Sequence, residues 1–150
     1  LAQTSAIAEY LEEQFPQPAL LPIDPVSRAA VREMMQTIGC DIHPLQNLRV
    51  LRYLRSEYSQ DDEGVAQWCC NWIATGFDAI EIRLGEPQTG RFMHGDAPTL
   101  ADICLIPQVV NAGNFQLDLT PYPRIRRIYD EAIALPAFAN AVPSLQPDAE

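Results

Sequence analysis

The feature that most constrains the fold is the spacing of apolar residues, which recur at steps of three and four along most of the chain. This is the period of an α-helix that buries one face. No segment alternates apolar and polar residues as a half-buried strand does, so the sequence predicts an all-α protein of about six helices. The clearest stretches are Val31, Met34, Met35, Ile38, Ile42, Leu45 and Leu48; Val65, Trp68, Cys69, Trp72, Ile73, Gly76, Ile80 and Leu84; and Leu100, Ile103, Leu105, Ile106, Val109 and Val110. Gly76 is expected to mark a close helix crossing. The last stretch is apolar nearly all round and is expected to form the central helix.

A proline-rich stretch divides the chain. Residues 15–24 contain three prolines, each of which removes a backbone donor and restricts the residue before it, so this stretch is predicted to be a linker. A first helix then falls within residues 1–14, and a larger helical domain spans residues 25–150. The helical pattern begins almost at once, at a leucine rather than a methionine, so we expect that a further segment precedes it.

Composition excludes several classes of function. The chain has 20 acidic and 10 basic residues, all ten of them arginine, for a formal net charge of −10. Such a surface repels phosphate backbones, which excludes nucleic acid as a partner. No apolar stretch approaches the roughly 20 residues of a membrane span, and no signal-peptide pattern opens the sequence. We therefore expect a cytoplasmic protein with no membrane partner.

The cysteines and histidines suggest no metal centre. The cysteines form no C-x-x-C pair, and neither histidine stands at a zinc-ligand spacing from them. The sequence therefore predicts no metal site and no disulfide framework, and we expect the thiols to be buried. The residues concerned are Cys40, Cys69, Cys70, Cys104, His43 and His94.

Polar residues near helix boundaries are candidate ligands. Gln3 and Thr4 open the first helix, whose free amides and dipole attract an anion, although simple capping is the alternative. His43 precedes Pro44, which should bend a long helix there and free a carbonyl group. His43 therefore either lines a pocket or satisfies that carbonyl. Arg49, farther along the same pattern, is either an anion ligand or a solvated arginine.

A capping motif explains the most conspicuous acid. In Thr99-Leu100-Ala101-Asp102, the Thr99 hydroxyl and the Asp102 carboxylate can each satisfy a free amide at a helix start. We therefore expect Asp102 to support folding rather than catalysis.

Several strings, taken together, resemble the zeta class of glutathione transferases, which comprises the maleylacetoacetate and maleylpyruvate isomerases. The resemblance covers all 150 residues. The capping motif is common to glutathione transferases in general, whereas the strings from Asp41 and from Asp118 are far more specific. The strings are Gln3-Thr4-Ser5-Ala6-Ile7, Glu9-Tyr10-Leu11-Glu12-Glu13, Asp41-Ile42-His43-Pro44-Leu45-Gln46-Asn47-Leu48-Arg49-Val50-Leu51, Pro98-Thr99-Leu100-Ala101-Asp102-Ile103, Asp118-Leu119-Thr120-Pro121-Tyr122-Pro123 and Gln146-Pro147-Asp148.

The resemblance implies a domain organisation. Family members have a thioredoxin-like domain followed by an all-helical one. By this comparison residues 1–14 are the last helix of the first domain, 15–24 are the linker, and 25–150 are the helical domain. The family's thiol-activating serine lies near the start of the thioredoxin-like domain, so we expect no catalytic residue in this chain and no activity from this chain alone.

The resemblance also implies site residues. Gln3 and Thr4 match the positions that receive the γ-glutamyl end of glutathione, with Thr4 in place of the usual serine. The matching cleft segment supplies His43, Asn47, Leu48 and Arg49 to glutathione, and Arg49 is also the expected ligand of a substrate carboxylate. Related enzymes place a second arginine where this chain has Asn114, so that position of the substrate site differs here.

The implied function is glutathione-dependent cis–trans isomerisation of a maleyl keto acid, a dicarboxylate, in aromatic catabolism. A homodimer is expected from the family. Two alternatives remain open at this point. The replacement at Asn114 favours a general glutathione transferase or peroxidase, and a helical interaction module without catalysis is the other alternative.

Overall fold

The computed structural model describes residues 1–147 and 149, and these contain helices but no β-strand, which confirms the all-α prediction. Within these described residues, seven α-helices follow one another. Short π and 3-10 segments join α2 to α3, and a 3-10 turn, Pro143–Leu145, follows α7. The α-helices are α1 (Thr4–Gln14), α2 (Pro25–Gln36), α3 (Leu48–Tyr58), α4 (Asp62–Arg83), α5 (Leu100–Asn114), α6 (Pro123–Ile133) and α7 (Pro136–Ala139).

The segment between α2 and α3 is broken rather than bent, so the expectation of one long kinked helix is wrong. After Gln36 the chain forms a π-helix over Thr37–Ile42 and a 3-10 turn over His43–Gln46. Pro44 has no N–H to continue the α-helical ladder. Asn47 then turns extended, with φ −63° and ψ 140°, and starts a new helix. We call residues 43–49 the break segment.

Helix α5 lies at the centre of the molecule, as its nearly all-round apolar pattern predicts. Nine of its residues are buried, and its neighbours in the core include α2, α4 and α6. Helix α4 crosses the π-helix closely, because a β-carbon at Gly76 would overlap the side chain of Ile42. The close crossing that Gly76 predicts is therefore present, and it fixes Ile42 immediately before the break segment.

The start of α5 is a buried capping arrangement. The carboxylate of Asp102 accepts hydrogen bonds from the Thr99 N–H at 2.8 Å, the Thr99 hydroxyl at 2.9 Å and the Met93 N–H at 2.9 Å. Asp102 is completely buried. We call residues 98–102 the capping turn; it has the structural role expected for Asp102.

Helix α1 is held to the rest of the molecule by its acidic residues. Glu9 forms a two-bond pair with Arg32 of α2, at 2.6 and 2.8 Å. The carboxylate of Glu12 accepts from the backbone N–H groups of Leu20 and Leu21 at 2.9 and 3.1 Å. Helix α1 ends at Gln14 and α2 begins at Pro25, behind Asp24, whose carboxylate accepts from the Ser27 N–H at 2.8 Å. The acidic face of α1 therefore faces the protein.

The cysteines only partly follow the prediction of buried thiols. Cys69 and Cys104 are buried and Cys70 is half-buried, but Cys40 is exposed on the π-helix. Within residues 1–147 and 149, no helix is both long and apolar enough to cross a membrane.

Candidate functional site

The break segment concentrates exposed polar groups on a fixed backbone. His43, Asn47, Leu48 and Arg49 are all exposed. The side-chain oxygen of Asn47 accepts from the Arg49 N–H at 3.3 Å, which caps α3. Four of the predicted ligand residues therefore stand together where two helices meet, as the sequence predicts.

Arg49 has the surroundings of an anion ligand. On α3, Arg55 pairs with Asp62 at 2.9 Å, whereas Arg49 and Arg52 make no ion pair within the described part of the chain. Because a guanidinium group can bind a carboxylate through two parallel hydrogen bonds, an exposed and unpaired Arg49 suits an acidic ligand.

An amide cluster, formed by the buried Gln46 and Gln108 and the half-buried Asn111, supports the break segment from behind. The side-chain oxygen of Gln46 accepts from the side-chain amides of Gln108, at 2.9 Å, and Asn111. The Gln46 amide in turn donates to the Ile42 carbonyl at 3.2 Å. The cluster thus joins the break segment to α5 by hydrogen bonds between side chains.

A second contact ties the break segment to α4. The indole N–H of Trp68 donates to the Leu45 carbonyl at 2.8 Å.

Beside Trp68, an open groove of about 480 Å³ runs between α3 and α4. Its lining is mainly apolar and aromatic and consists of Val50, Tyr53, Leu54, Tyr58, Gln60, Gly64 and Trp68.

Asn114 lies at the C-terminal end of α5, the end that carries Asn111 of the amide cluster. It is the last residue of the helix, is exposed, and follows Asn111 by three positions, which places the two on neighbouring parts of one helix face. The hydrogen bond of Asn111 with Gln46 brings this end of α5 to the break segment. Asn114 therefore lies about one helical turn beyond the amide cluster, and its grouping with Arg49 in one site remains a prediction.

Gln3 and Thr4 lie on a separate element. Gln3 has φ 72° and ψ 118°, and its side chain makes no capping hydrogen bond, so the alternative of a simple side-chain cap at Gln3 is wrong. Both residues are exposed, and no hydrogen bond joins either of them to the break segment among the described residues. The amides of the first turn of α1 are therefore free of a side-chain cap.

Three of the four cysteines, Cys69, Cys70 and Cys104, do not supply a thiolate. Burial raises the pKa of Cys69 and of Cys104 to about 11, and it also raises the pKa of Cys70. The Cys70 thiol donates to the Phe115 carbonyl at 3.2 Å. Since the thiolate is the nucleophilic form, these thiols are unreactive at neutral pH.

The sequence interpretation missed the amide cluster and Trp68. Gln108 and Asn111 interrupt the most apolar helix of the chain at a spacing of three, and both face inward. Polar residues on the buried side of a helix need partners, and this signal could have identified them. The pairing with Gln46 joins residues 62 positions apart, which no local pattern reveals.

Known proteins resemble this chain along its whole length. It is 50% identical to a maleylpyruvate isomerase from a Ralstonia species, over 99% of this chain and 70% of that protein. It matches the holo structure of a maleyl pyruvate isomerase, a bacterial zeta-class glutathione S-transferase, with a TM-score of 0.98 and 50% identity, over 100% of this chain and 71% of that one. It also matches a maleylacetoacetate isomerase from Anaeromyxobacter dehalogenans, solved with dicarboxyethyl glutathione and citrate in its active site. That match has a TM-score of 0.92 and 46% identity, over 100% of this chain and 66% of that one. No family model matches the chain.

Proposed function

Because this chain belongs to the zeta-class glutathione transferase family of maleylpyruvate and maleylacetoacetate isomerases, we propose that it forms part of a glutathione-dependent cis–trans isomerase of a maleyl keto acid. The observation that carries the proposal is the break segment, which presents His43, Asn47 and Arg49 as exposed ligands on a rigid support. The relatives are longer than this chain, which spans 70% of the Ralstonia protein. The activity is therefore proposed for the full-length protein.

The proposed division of labour assigns binding to this chain. Glutathione would supply a thiolate that adds reversibly to the cis double bond, so that the bond can rotate as a single bond before the thiolate leaves. The residues of this chain hold glutathione and the acid in place, and the gain in rate comes from orientation and charge. We place the group that activates the thiol in a domain before residue 1, with residues 1–14 as the last helix of that domain and residues 15–24 as the linker.

Gln3 and Thr4 are proposed to hold the γ-glutamyl end of glutathione. The first amides of an α-helix have no partner within the helix, and α1 lacks a side-chain cap to satisfy them. A carboxylate placed there gains both these donors and the positive end of the helix dipole. The positive φ of Gln3 adds support, since strained backbone at a non-glycine residue persists chiefly at ligand-binding and active sites.

His43, Asn47 and Leu48 are proposed to line the remainder of the glutathione site, and Arg49 to bind a substrate carboxylate. The citrate in the active site of the Anaeromyxobacter structure, a tricarboxylate, supports an acidic substrate. Asn114 stands beside this region as a neutral hydrogen-bonding group. With an amide there in place of an arginine, Arg49 becomes the principal cation for the acid.

The direct test is turnover by the full-length protein. Purified protein would be mixed with maleylpyruvate or maleylacetoacetate, with and without glutathione, and formation of the trans isomer followed by proton NMR. We expect conversion only when glutathione is present, and none from residues 1–150 alone. Absence of glutathione-dependent conversion of both compounds would overturn the proposal, and turnover by residues 1–150 alone would overturn the placement of the thiol-activating group.

Asn114 favours a second candidate, a general glutathione transferase or peroxidase acting on haloacids or hydroperoxides. Loss of a cationic group from the substrate site would weaken the hold on a second carboxylate while leaving the glutathione site intact. Measuring both activities on one preparation distinguishes the candidates, because the isomerase proposal expects the larger kcat/KM for the maleyl compound.

A homodimer in the cytoplasm completes the proposal. Reduced cysteines, two of them buried and none paired among the described residues, support a reducing compartment. Sedimentation of the full-length protein would test the oligomeric state, and a monomeric mass at micromolar concentration would contradict it.

A further inference from the structure

We infer that Gln46 is a positioning residue for the proposed site: its buried side chain holds the backbone on which His43, Asn47 and Arg49 are displayed. The inference rests on the proposed function. Gln46 itself is 7% exposed, so it does not contact the ligand and acts only by positioning its neighbours. It lies between His43 and Asn47, three positions after the first and one before the second.

The side-chain amide of Gln46 uses both its acceptor and its donor. The oxygen accepts from Gln108 and Asn111 of α5, and the nitrogen donates to the Ile42 carbonyl. Of the three partners, two belong to the central helix and one to the residue that precedes the break segment. Gln46 therefore fastens the break segment to the most buried element of the fold.

Backbone hydrogen bonds join this stretch to the segments on either side of it. The His43 N–H donates to the Ile38 carbonyl, and the Asn47 carbonyl accepts from the Val50 N–H at 2.8 Å. Within the stretch, the Asn47 N–H bonds to the Pro44 carbonyl at 3.4 Å, near the limit for such a bond. The Gln46 amide cluster and the Trp68 bond to Leu45 are the side-chain contacts that join the stretch to α5 and α4.

Removing the Gln46 side chain would allow the break segment to move, although Gln46 itself does not contact the ligand. Gln108 and Asn111 would then have donors without an acceptor in a buried space, and relieving this needs water or movement of α5 and the break segment. Because His43 and Asn47 are displayed from the same few residues, their spacing would change. A shift of about 1 Å in ligand-holding groups is enough to weaken binding severely.

The test compares Gln46→Met, which keeps the size of the side chain and removes its hydrogen bonds, with substitutions elsewhere in the core. Ile128 of α6 is fully buried and belongs to no part of the site. Ile128→Val and Ile128→Ala would bracket the loss of melting temperature that Gln46→Met causes. All proteins would be full length, with kcat and the KM for glutathione measured for each.

We expect Gln46→Met to raise the KM for glutathione about tenfold, the order that follows when buried donors lose their acceptor. The Ile128 variants should keep the wild-type KM at equal loss of melting temperature. Gln108→Met, which removes one of the two donors, should raise the KM by a smaller factor, and it decides the question if Gln46→Met does not fold.

Failure of the proposed function and failure of the Gln46 inference would give different results. A wild-type protein without glutathione-dependent turnover would overturn the proposed function, and this inference with it. A wild-type protein that turns over, together with Gln46 and Gln108 variants whose KM equals that of the Ile128 controls, would overturn the inference alone.

Discussion

The break segment and the capping turn solve the same local problem in opposite environments. Each contains a proline, and in each a polar side chain takes over hydrogen bonds that an unbroken helix would have made. In the capping turn every participant is buried, and Asp102 accepts three hydrogen bonds. In the break segment the satisfied group, Gln46, is buried, while Asn47 and Arg49 face outward.

The difference separates a buried, structural arrangement from one whose polar groups are accessible to a ligand. Burial raises the pKa of the Asp102 carboxyl, and the three donors partly offset this. A carboxylate enclosed in this way can stabilise a helix start but cannot reach a substrate. The exposed groups of the break segment can, because their support lies behind them. Burial and satisfied bonding, more than residue type, distinguish the two regions.

The largest effect is expected in the capping turn. Asp102→Ala leaves the Thr99 and Met93 amides without an acceptor, and we expect a loss of about 3 kcal/mol in the free energy of unfolding, measured in urea. Asp118→Ala is the matched control, since that acid also accepts from a backbone amide, Thr120 at 2.8 Å, but is exposed. It should cost less than about 1 kcal/mol. Equal losses of unfolding free energy in Asp102→Ala and Asp118→Ala would contradict the importance of burial in the capping turn.

The next largest effect is expected on activity. Arg49→Met in the full-length enzyme removes a charge-assisted bond to the acid, which should lower kcat/KM by about tenfold or more, roughly 1.5–3 kcal/mol. The control is Arg52→Met, an exposed arginine on the same helix with no ion pair among the described residues. Unchanged kinetics for Arg49→Met would remove this residue from the site.

Asn47 caps α3 and is also proposed to bind glutathione, and two substitutions separate these roles. Asn47→Ala loses the 3.3 Å bond to the Arg49 N–H, and we expect a stability loss of about 0.5–1 kcal/mol in urea unfolding. Asn47→Asp keeps an acceptor there and should keep the stability, but it loses the amide donor to glutathione. A raised KM for glutathione in Asn47→Asp is therefore expected, and a wild-type KM would restrict Asn47 to capping.

The last effect, which requires no substitution and no change in stability, is expected in thiol reactivity. Cys40 is exposed just before the break segment, and Cys104 is buried just after the capping turn with a pKa of about 11. Site-resolved alkylation with iodoacetamide at pH 7 should modify Cys40 at least about 100-fold faster. The thiolate fraction of Cys104 rises about tenfold per pH unit up to its pKa. The ratio of the Cys40 alkylation rate to the Cys104 rate should therefore fall as the pH is raised. Similar rates at pH 7 would contradict the burial difference.

The sequence was sufficient for the features that depend on local pattern. The helical period predicts the fold class, Gly76 predicts the close crossing with Ile42, and the Thr99–Asp102 spacing predicts the capping turn. The strings that include His43 and Arg49 predict which residues stand together at the break. Their roles as ligands remain predictions.

What the sequence did not supply depends on contacts between distant residues. Pro44 predicts an interruption, but the π-helix and the extended Asn47 that replace a simple bend are set by packing against α4 and α5. The pairing of Gln46 with Gln108 also needs the folded molecule. Glu12 is buried because its carboxylate accepts from the backbone amides of Leu20 and Leu21, a contact that helical spacing alone does not predict.

The central claim is that the break segment forms one side of a glutathione-binding cleft. The most direct measurement is a crystal structure of the full-length protein with glutathione bound. The account predicts a polar atom of glutathione within about 3.2 Å of the side chain of His43 or Asn47. Well-defined glutathione that lies beyond hydrogen-bonding reach of both side chains would contradict it.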